Sequence, residues 1–345
     1  MRIRNLIFKT PIKYLLPKLS NLLIFYFFKN IVTNRVLYKP LTMDVEPTTG
    51  CNFRCTMCQV SSPDFKAKNM TIKTFLTLIK NNPQLIKIKL QGMGEPLVNK
   101  HFFDMIEICN KYGVFVETVT NGSLLNKENI NKILISKSIY RVSISIDGAS
   151  KEVFEGIRVK SNFNSVINNV RNFSKQIKEK KSNVNLRALC LVQKSNLNEF
   201  EKIIKLCKEI GFDELEFQVQ LTGWGKSEWE QINISSDINY RNFENKEQLN
   251  SIIRKYNSKK FKVSIVESNL LTKKNKCSYP WHNPYISAEG KVVSCCMIAD
   301  PKINTMGDIN LENFNKIWNS KNYTGFRKSI TTHNLRDYCK NCYKE

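Results

Sequence analysis

Three cysteines near the start of the chain have a spacing suited to an iron–sulfur cluster. Cys51, Cys55 and Cys58 stand on one short segment, and thiolates are the usual ligands of such clusters. A [4Fe–4S] cube needs four ligands, so three cysteines on one loop leave one iron open to a small molecule. The alternative is a zinc site, which usually combines a Cys-x-x-Cys pair with two ligands elsewhere. The spacing favours the cluster.

A second group of cysteines lies towards the end of the chain, and three further cysteines stand alone. The second group consists of Cys277, Cys295, Cys296, Cys339 and Cys342. It suits a second cluster with four thiolate ligands, although spacing alone leaves a structural zinc site open. The isolated cysteines, predicted as small core residues, are Cys109, Cys190 and Cys207. Clustered thiols indicate a reducing compartment, so we expect a cytoplasmic protein.

Short apolar segments alternate with amphipathic ones between residues 42 and 258. The predicted strands are 43–47, 86–91, 114–119, 141–146, 185–192 and 214–221. The predicted helices are 72–80, 102–112, 127–136, 163–177, 197–210 and 246–256. This alternation predicts an α/β fold, a partial (β/α)6 TIM-like barrel with a parallel sheet. Chemistry in such barrels gathers at the carboxyl ends of the strands.

Glycine-rich and polar motifs follow these predicted strands in order. They are Gly92-Met93-Gly94-Glu95-Pro96, Thr120-Asn121-Gly122 and Ser143-Ile144-Ser145-Ile146-Asp147-Gly148. Taken singly, each is an ordinary turn sequence. Together with the cysteine triplet after the first strand, they resemble the radical S-adenosylmethionine (SAM) superfamily, whose open iron binds SAM.

The resemblance implies roles for individual residues. Gly94 and Glu95 match a motif that contacts the SAM amino group, although Met93 interrupts the family's glycine pair. A carboxylate suits an ammonium partner, and glycine allows close backbone approach. The other positions expected to contact SAM are Ser145 and Asp147, near its ribose and carboxylate, and Arg187, near its carboxylate.

The last part of the chain, residues 259–345, is predicted as a small α+β cluster-binding module. It combines a strand at 263–266, a hairpin at 285–287 and 292–294, and short helices at 311–318 and 323–330. It resembles the SPASM and twitch extensions of radical SAM enzymes, which hold auxiliary clusters. One auxiliary [4Fe–4S] cluster is expected on Cys277, Cys295, Cys339 and Cys342. Cys295 is favoured over Cys296 because hairpin alternation points neighbouring side chains to opposite faces.

The resemblance implies an enzyme that cleaves SAM to a 5′-deoxyadenosyl radical, which abstracts hydrogen from a substrate carbon. We expect a net oxidation, with dehydrogenation of a sugar or cyclitol ranked first and modification of a peptide second. Reduction of the cluster requires an external donor of the flavodoxin or ferredoxin type. A rival from another class is a non-catalytic iron–sulfur or zinc protein that binds nucleic acid. The ordered strand-end motifs disfavour that rival.

Residues 1–41 form a basic, aromatic-rich segment. Residues 1–40 contain eight Lys or Arg and no Asp or Glu, interleaved with aliphatic and aromatic residues. Such a segment suits an anionic membrane surface, which would make the protein peripheral there; the alternative is a helix packed on the domain or on a partner protein. The formal net charge of +24 is high, but we read it as a solvated basic surface rather than as a nucleic-acid site. The predicted domains are thus 1–41, 42–258 and 259–345.

Overall fold

A computed structural model describes residues 10–31, 33–221, 223–266, 271, 276–340 and 342–343. The described residues divide into two compact units, each discontinuous in sequence. The first unit draws on Met1–Gly50, Ala67–Val116 and Asn269–Glu345. The second draws on Cys51–Lys66 and Glu117–Ser268. The cysteine triplet therefore belongs to the second unit and the C-terminal cysteines to the first.

The strands and helices of the described residues follow the predicted alternation. The strands are β1 Thr42–Val45, β2 Lys87–Leu90, β3 Phe115–Thr120, β4 Ile139–Ser145, β5 Asn185–Leu191, β6 Glu214–Gln218, β7 Lys262–Val266, β8 Tyr285–Ile286, β9 Lys291–Val293 and β10 Thr305–Asp308. The helices are α1 Leu15–Phe28, α2 Ile72–Asn81, α3 Phe102–Tyr112, α4 Lys127–Ile135, α5 Lys151–Ile157, α6 Phe163–Glu179, α7 Phe200–Ile210, α8 Ser227–Ser236, α9 Lys246–Tyr256, α10 Tyr279–His282, α11 Phe314–Trp318, α12 Lys321–Thr331 and α13 Asp337–Lys340.

In the first unit the strand order is β10-β9-β8-β1-β2. β1 pairs in parallel with β2 and with β8, whereas β8–β9 and β9–β10 are antiparallel. The predicted hairpin is thus present, and its first strand joins the edge of the barrel-type strands. The strand β10 is absent from the sequence-based prediction, because Thr305–Asp308 is short and only partly apolar.

In the second unit β4, β5, β6 and β7 lie side by side in parallel. β3 crosses the division between the two units. The predicted strand at 263–266 is present as β7, but it pairs with β6 rather than belonging with the C-terminal hairpin, as the sequence pattern had suggested. The reason is topological: α9 returns the chain to the sheet as the earlier helices do.

Local sequence explains where the helices begin and end. Thr71, Asn126 and Ser150 each accept a hydrogen bond from a backbone N–H of the first helical turn that follows them. Gly113 and Gly211 end α3 and α7 with φ of 62° and 91°, a left-handed conformation that favours glycine. The helices α5 and α8 escape sequence-based prediction because the first is short and the second carries little apolar periodicity.

The α/β fold with a parallel sheet is confirmed. Cys109, Cys190 and Cys207 are buried, as predicted for core residues. Burial raises the pKa of all three thiols, so they remain protonated at neutral pH. Among the described residues, no helix has both the length and the apolar character needed to cross a membrane.

Candidate active site and iron–sulfur sites

The cysteine triplet lies on a loop that hydrogen bonds hold against the end of α5. The Arg54 N–H donates to the Val159 carbonyl at 2.8 Å, and the Thr56 N–H donates to the Ile157 carbonyl at 3.0 Å. Phe53 is buried, and its N–H points to Cys51 Sγ at 3.4 Å. The loop is therefore fixed by its own backbone, as a site that wraps a cube requires.

The chemistry of these thiols fits a cluster. Burial raises the pKa of Cys55, and it raises the pKa of Cys58 to about 12, with the neighbouring cysteines adding to both shifts. A thiol with such a pKa stays protonated at neutral pH unless a metal takes the place of the proton. All three are free cysteines. The donor set is thus suited to iron and sulfide, which the three sulfurs would hold together.

A buried ion pair stands directly beside the cysteine loop. Arg158 Nη2 lies 2.6 Å from Asp147 Oδ2, and both side chains are shielded from water. Arg158 Nη1 lies 3.9 Å from Cys55 Sγ, within reach of an N–H···S hydrogen bond. The Leu191 N–H donates to the other carboxylate oxygen of Asp147 at 2.8 Å. Asp147 therefore holds a cation against a predicted cluster ligand.

Asp147, which the sequence predicts to contact SAM, is thus also paired with Arg158. The sequence analysis did not identify this partner. The available signal was weak: a carboxylate at a buried strand end needs a cation. Both Arg141 and Arg158 are within reach along the chain, and the sequence does not choose between them. Contact between Asp147 and SAM stays a prediction.

Asn121, from the motif after β3, also approaches the loop. Its amide Nδ2 lies 4.0 Å from Cys51 Sγ and donates to Asn52 Oδ1 at 2.9 Å. Donors directed at the sulfurs raise the potential of a bound cluster. The motif therefore supports the cysteine loop as well as the strand end.

Ser145 and Arg187 occupy different surroundings. Arg187 is buried; its Nη2 lies 2.7 Å from Glu117 and its Nη1 lies 3.2 Å from Glu216. Its Nε donates to Ser143 Oγ at 2.9 Å. Arg187 stands four residues before Leu191 on β5, about 13 Å along the strand from the contact with Asp147. Ser145 is half-buried at the end of β4. The roles of both towards SAM stay predictions.

In the first unit the motif after β2 is tightly packed. A side chain at Gly94 would stand 2.3 Å from the Gly50 carbonyl oxygen, and at Gly92 one would meet Glu46 at 2.2 Å. The Glu95 N–H donates to the Gly50 carbonyl at 2.9 Å, and its Oε1 accepts from the Leu97 N–H at 3.2 Å. Glycine is therefore required at both positions. The backbone of Glu95 is hydrogen-bonded to Gly50, the residue directly before Cys51. Its contact with SAM stays a prediction.

Glu46 is a buried carboxylate that no sequence motif singled out. It accepts hydrogen bonds from the Met93 N–H at 2.9 Å and from the Ala288 N–H at 3.1 Å. Burial raises its pKa to about 7, against the opposing effect of these bonds and of a hydrogen bond with Tyr285. Glu46 thus ties the loop after β2 to the C-terminal hairpin. The only signal in the sequence was a carboxylate directly after an apolar strand.

The C-terminal cysteines interact with one another. Burial raises the pKa of Cys277 to about 11, with contributions from Cys342 and Cys296. Burial also raises the pKa of Cys339 to about 12, with contributions from Cys342 and Cys277. The structure therefore brings together thiols that are far apart in the sequence.

The side chains of Cys295 and Cys296 interact with each other. Their mutual hydrogen bond raises the pKa of Cys295 and lowers that of Cys296. Cys296 Sγ is also hydrogen-bonded to Tyr279 Oη at 3.0 Å, while the Met297 N–H points to Cys295 Sγ at 3.4 Å. Cys295 Sγ therefore has a backbone donor, whereas Cys296 Sγ donates to a tyrosine oxygen. The choice of Cys295 as ligand stays a prediction.

Within the described residues, no three side chains of His, Cys, Asp or Glu converge on the position of a single metal ion. A cluster carries its own sulfide and spreads its ligands more widely than one ion does. The fit to iron–sulfur clusters therefore rests on the thiol donor sets, their burial and the donors around their sulfurs.

Comparison with known protein families agrees with this arrangement. Residues 45–207 match the radical SAM superfamily, and residues 277–343 match SPASM, an iron–sulfur cluster-binding domain. Each match contains one of the cysteine groups. Both matches lie within the predicted domains, whose bounds stay predictions.

Individual relatives extend the comparison. The mycofactocin maturase MftC of Mycolicibacterium smegmatis is 24% identical over 205 residues, which cover 59% of this chain and 50% of that protein. The antilisterial bacteriocin subtilosin biosynthesis protein AlbA of Bacillus subtilis is 23% identical over 321 residues, 88% of this chain and 67% of that protein. The chain spans about half the length of the first curated relatives that it matches.

Among solved structures, the fold resembles that of Streptococcus suis SuiB bound to precursor peptide SuiA. The TM-score is 0.67 at 12% identity, over 89% of this chain and 69% of SuiB. The predicted cofactors, a [4Fe–4S] cluster with SAM and an auxiliary iron–sulfur cluster, are those of the matched domains. The chain therefore belongs to the radical SAM superfamily of enzymes and carries a C-terminal SPASM-type cluster-binding domain.

Proposed function

We propose that the chain is a radical SAM enzyme that modifies a peptide by a net oxidation. The observation that carries the peptide assignment is the similarity to AlbA, a bacteriocin biosynthesis protein, over 88% of the chain. The structure of SuiB in complex with its precursor peptide SuiA supports the same substrate class. Oxidation of a sugar or cyclitol ranked first on the sequence alone, and these relatives favour the second choice, a peptide.

The residues of this chain supply binding, positioning and a buried environment. Cys51, Cys55 and Cys58 would hold the first cluster, and four of the C-terminal cysteines would hold the second. When bound, the first cluster and SAM supply a radical that abstracts hydrogen from carbon, and the second cluster supplies an electron acceptor. Arg158 and Asp147 place a fixed cation at the first site, which favours the reduced state of a cluster there.

An external electron donor belongs to the same proposal. The net charge of +24 gives the surface a strong positive field, and complementary charge speeds the encounter with an acidic electron-transfer protein. We therefore propose a donor of the flavodoxin or ferredoxin type. The rate of reduction by this donor should fall as the salt concentration rises, because salt screens the field.

The experiment is deuterium transfer into 5′-deoxyadenosine. A fully deuterated cell extract is separated into a peptide fraction and a fraction of small sugars and cyclitols. Each fraction is incubated with the reconstituted, reduced enzyme and unlabelled SAM. The deuterium content of the 5′-deoxyadenosine that forms is measured by mass spectrometry. We expect the peptide fraction to transfer deuterium into 5′-deoxyadenosine. Protease treatment of that fraction should abolish the transfer.

Two controls make the outcome decisive. The Cys55→Ala variant should form no 5′-deoxyadenosine with either fraction. Deuterium that comes from the small-molecule fraction alone, and that survives protease, would overturn the peptide assignment in favour of a sugar or cyclitol. Failure of the wild-type enzyme to form any 5′-deoxyadenosine would contradict the reaction class itself.

A further inference from the structure

The helix α1 is oriented opposite to a normal surface helix. Its inward face carries Lys18 and Asn21, which are 1% and 7% exposed. Lys18 Nζ donates to the Leu85 carbonyl, and Asn21 exchanges two hydrogen bonds with the backbone of Lys39. Lys18 and Asn21 therefore face the protein, where their polar groups are hydrogen-bonded, beside the buried Leu22.

The outward face of α1 is apolar apart from Ser20. Leu16, Leu23 and Phe27 are 76%, 61% and 77% exposed, and their spacing places them along one side of the helix. Ile12 and Ile31 extend this exposed surface beyond the two ends of the helix. More than half of the large apolar side chains that the described residues expose lie between residues 12 and 37. A concentration of exposed apolar side chains of this kind marks an interaction surface.

The helix is firmly seated, so the patch is presented on a fixed support. The Phe25 ring packs edge-on against Tyr38 and His282, at centroid distances of 5.2 and 5.4 Å. The segment that follows is tied down as well: the Trp281 indole donates to the Thr33 carbonyl at 2.8 Å, and the Trp318 indole donates to the Tyr38 carbonyl at 3.0 Å. The apolar face is therefore part of the folded first unit.

The charges around the patch identify its occupant. Lys13 and Lys29 stand at the two ends of α1, each about 5 Å from a tyrosine ring, Tyr14 and Tyr26. Residues 1–40 contain no acidic side chain at all. A second copy of the chain would bring like charges together, whereas an anionic bilayer offers both an apolar interior and negative head groups. A helix of 14 residues is about 21 Å long, suited to lying in the interface rather than crossing a core of about 30 Å.

We propose that the apolar face of α1 docks the protein on the surface of an anionic membrane. Leu16, Leu23 and Phe27 insert among the lipid chains, and Lys13, Lys29 and Arg35 contact the head groups. This proposal is independent of the peptide assignment.

The test is co-sedimentation of the full-length, cluster-loaded protein with lipid vesicles. The vesicles contain phosphatidylcholine alone or phosphatidylcholine mixed with phosphatidylglycerol. We expect binding to the anionic vesicles at low salt, and at least tenfold weaker binding for the double variant Leu23→Asp, Phe27→Asp. The matched control is Ile234→Asp, Leu311→Asp, which replaces two equally exposed apolar residues elsewhere with the same change of charge and should bind like the wild type.

Three results would overturn the proposal. They are failure of the wild type to bind anionic vesicles, equal weakening by the control pair, and a concentration-dependent dimer that the α1 variant alone abolishes. The last would assign the face to a second copy of the chain. Formation of 5′-deoxyadenosine without vesicles should be unchanged in the α1 variant, so that a failure here is distinguishable from a failure of the proposed reaction.

Discussion

The two cysteine sites of this protein are built in opposite ways. The first places three ligands on one loop, and the backbone of that loop fixes their positions. The second gathers its cysteines from a loop before α10, from the segment after β9 and from the region of α13. At the first site the buried cation Arg158 contacts Cys55, whereas the groups that contact Cys295 and Cys296 are neutral. The difference suits an open cluster that binds SAM and a closed cluster that exchanges electrons.

The largest expected effect separates the two sites by their iron content. Cys55→Ala should remove about four irons per chain and all formation of 5′-deoxyadenosine, because two thiolates do not retain the cube. Cys339→Ala should also remove about four irons but leave SAM cleavage measurable. Iron analysis and chromatography of the products check both variants. Loss of all iron in either variant would show that the sites do not load independently.

The next prediction concerns the ligand choice at the second site. Cys295→Ser should reduce the iron content by up to about four per chain, whereas Cys296→Ser should leave it unchanged. The reason is that Cys296 Sγ already has a hydrogen-bond partner in Tyr279 Oη at 3.0 Å. Strand alternation does not separate the two side chains, because both cysteines lie beyond β9. Iron analysis and the electron paramagnetic resonance signal of the reduced protein measure the result. The reverse pattern would make Cys296 the ligand, in line with the donors that lower its pKa.

A smaller effect is expected from the cation at the first site. Arg158→Met should lower the reduction potential of the first cluster by about 60 mV, a tenfold change in the equilibrium for one electron, because a positive charge beside Cys55 is lost. It should also destabilise the fold by about 3–5 kcal/mol, since Asp147 is left buried without its partner. A redox titration followed by electron paramagnetic resonance gives the potential.

The double variant Arg158→Met, Asp147→Asn separates the two consequences. It should recover most of the lost stability, because no uncompensated charge stays buried. Its potential should lie between those of the single variant and the wild type, because the opposing carboxylate is lost together with the cation, which has the larger effect on Cys55. Full recovery of the wild-type potential would show that the fall in Arg158→Met comes from the unpaired Asp147 carboxylate rather than from the lost cation.

The contrast between the sites also explains what the sequence could reveal. The first site was predictable because its ligands are neighbours in the chain, and because periodic apolar residues mark the strands that precede each motif. The second site was predictable only through its resemblance to a family, since Cys277 and Cys339 meet through tertiary structure. Spacing alone favoured a cluster at the first site and left zinc open at the second.

Partners of buried charges were not predictable. Arg158 pairs with Asp147 across a helix, and Arg187 is neutralised by Glu117 and Glu216 from the strands β3 and β6. A sequence shows that such charges exist, but the choice of partner depends on which strand ends meet. The same holds for Glu46, whose hydrogen bonds come from segments about 50 and 240 residues away.

Glu46 provides the last prediction, because it joins the loop after β2 to the hairpin of the second site. Its pKa in the folded state is about 7, above the value of 4.5 for an exposed glutamate, and burial is the main cause. Between these values the folded state binds more protons than the unfolded state. Stability therefore falls as pH rises through this window, by about 3 kcal/mol in total from this group.

Glu46→Gln should remove this dependence, since an amide does not ionise. The variant should be less stable than the wild type near pH 5, because the amide nitrogen cannot accept from the Ala288 N–H, and the two should converge as pH rises towards 8. Unfolding midpoints of the cluster-loaded proteins across this range measure the difference. Glu128→Gln is the control: its pKa is lowered by Lys132 on an exposed helix, so its small effect has the opposite sign. An unchanged slope in Glu46→Gln would mean that Glu46 is ionised throughout and that its two N–H donors outweigh the cost of burial.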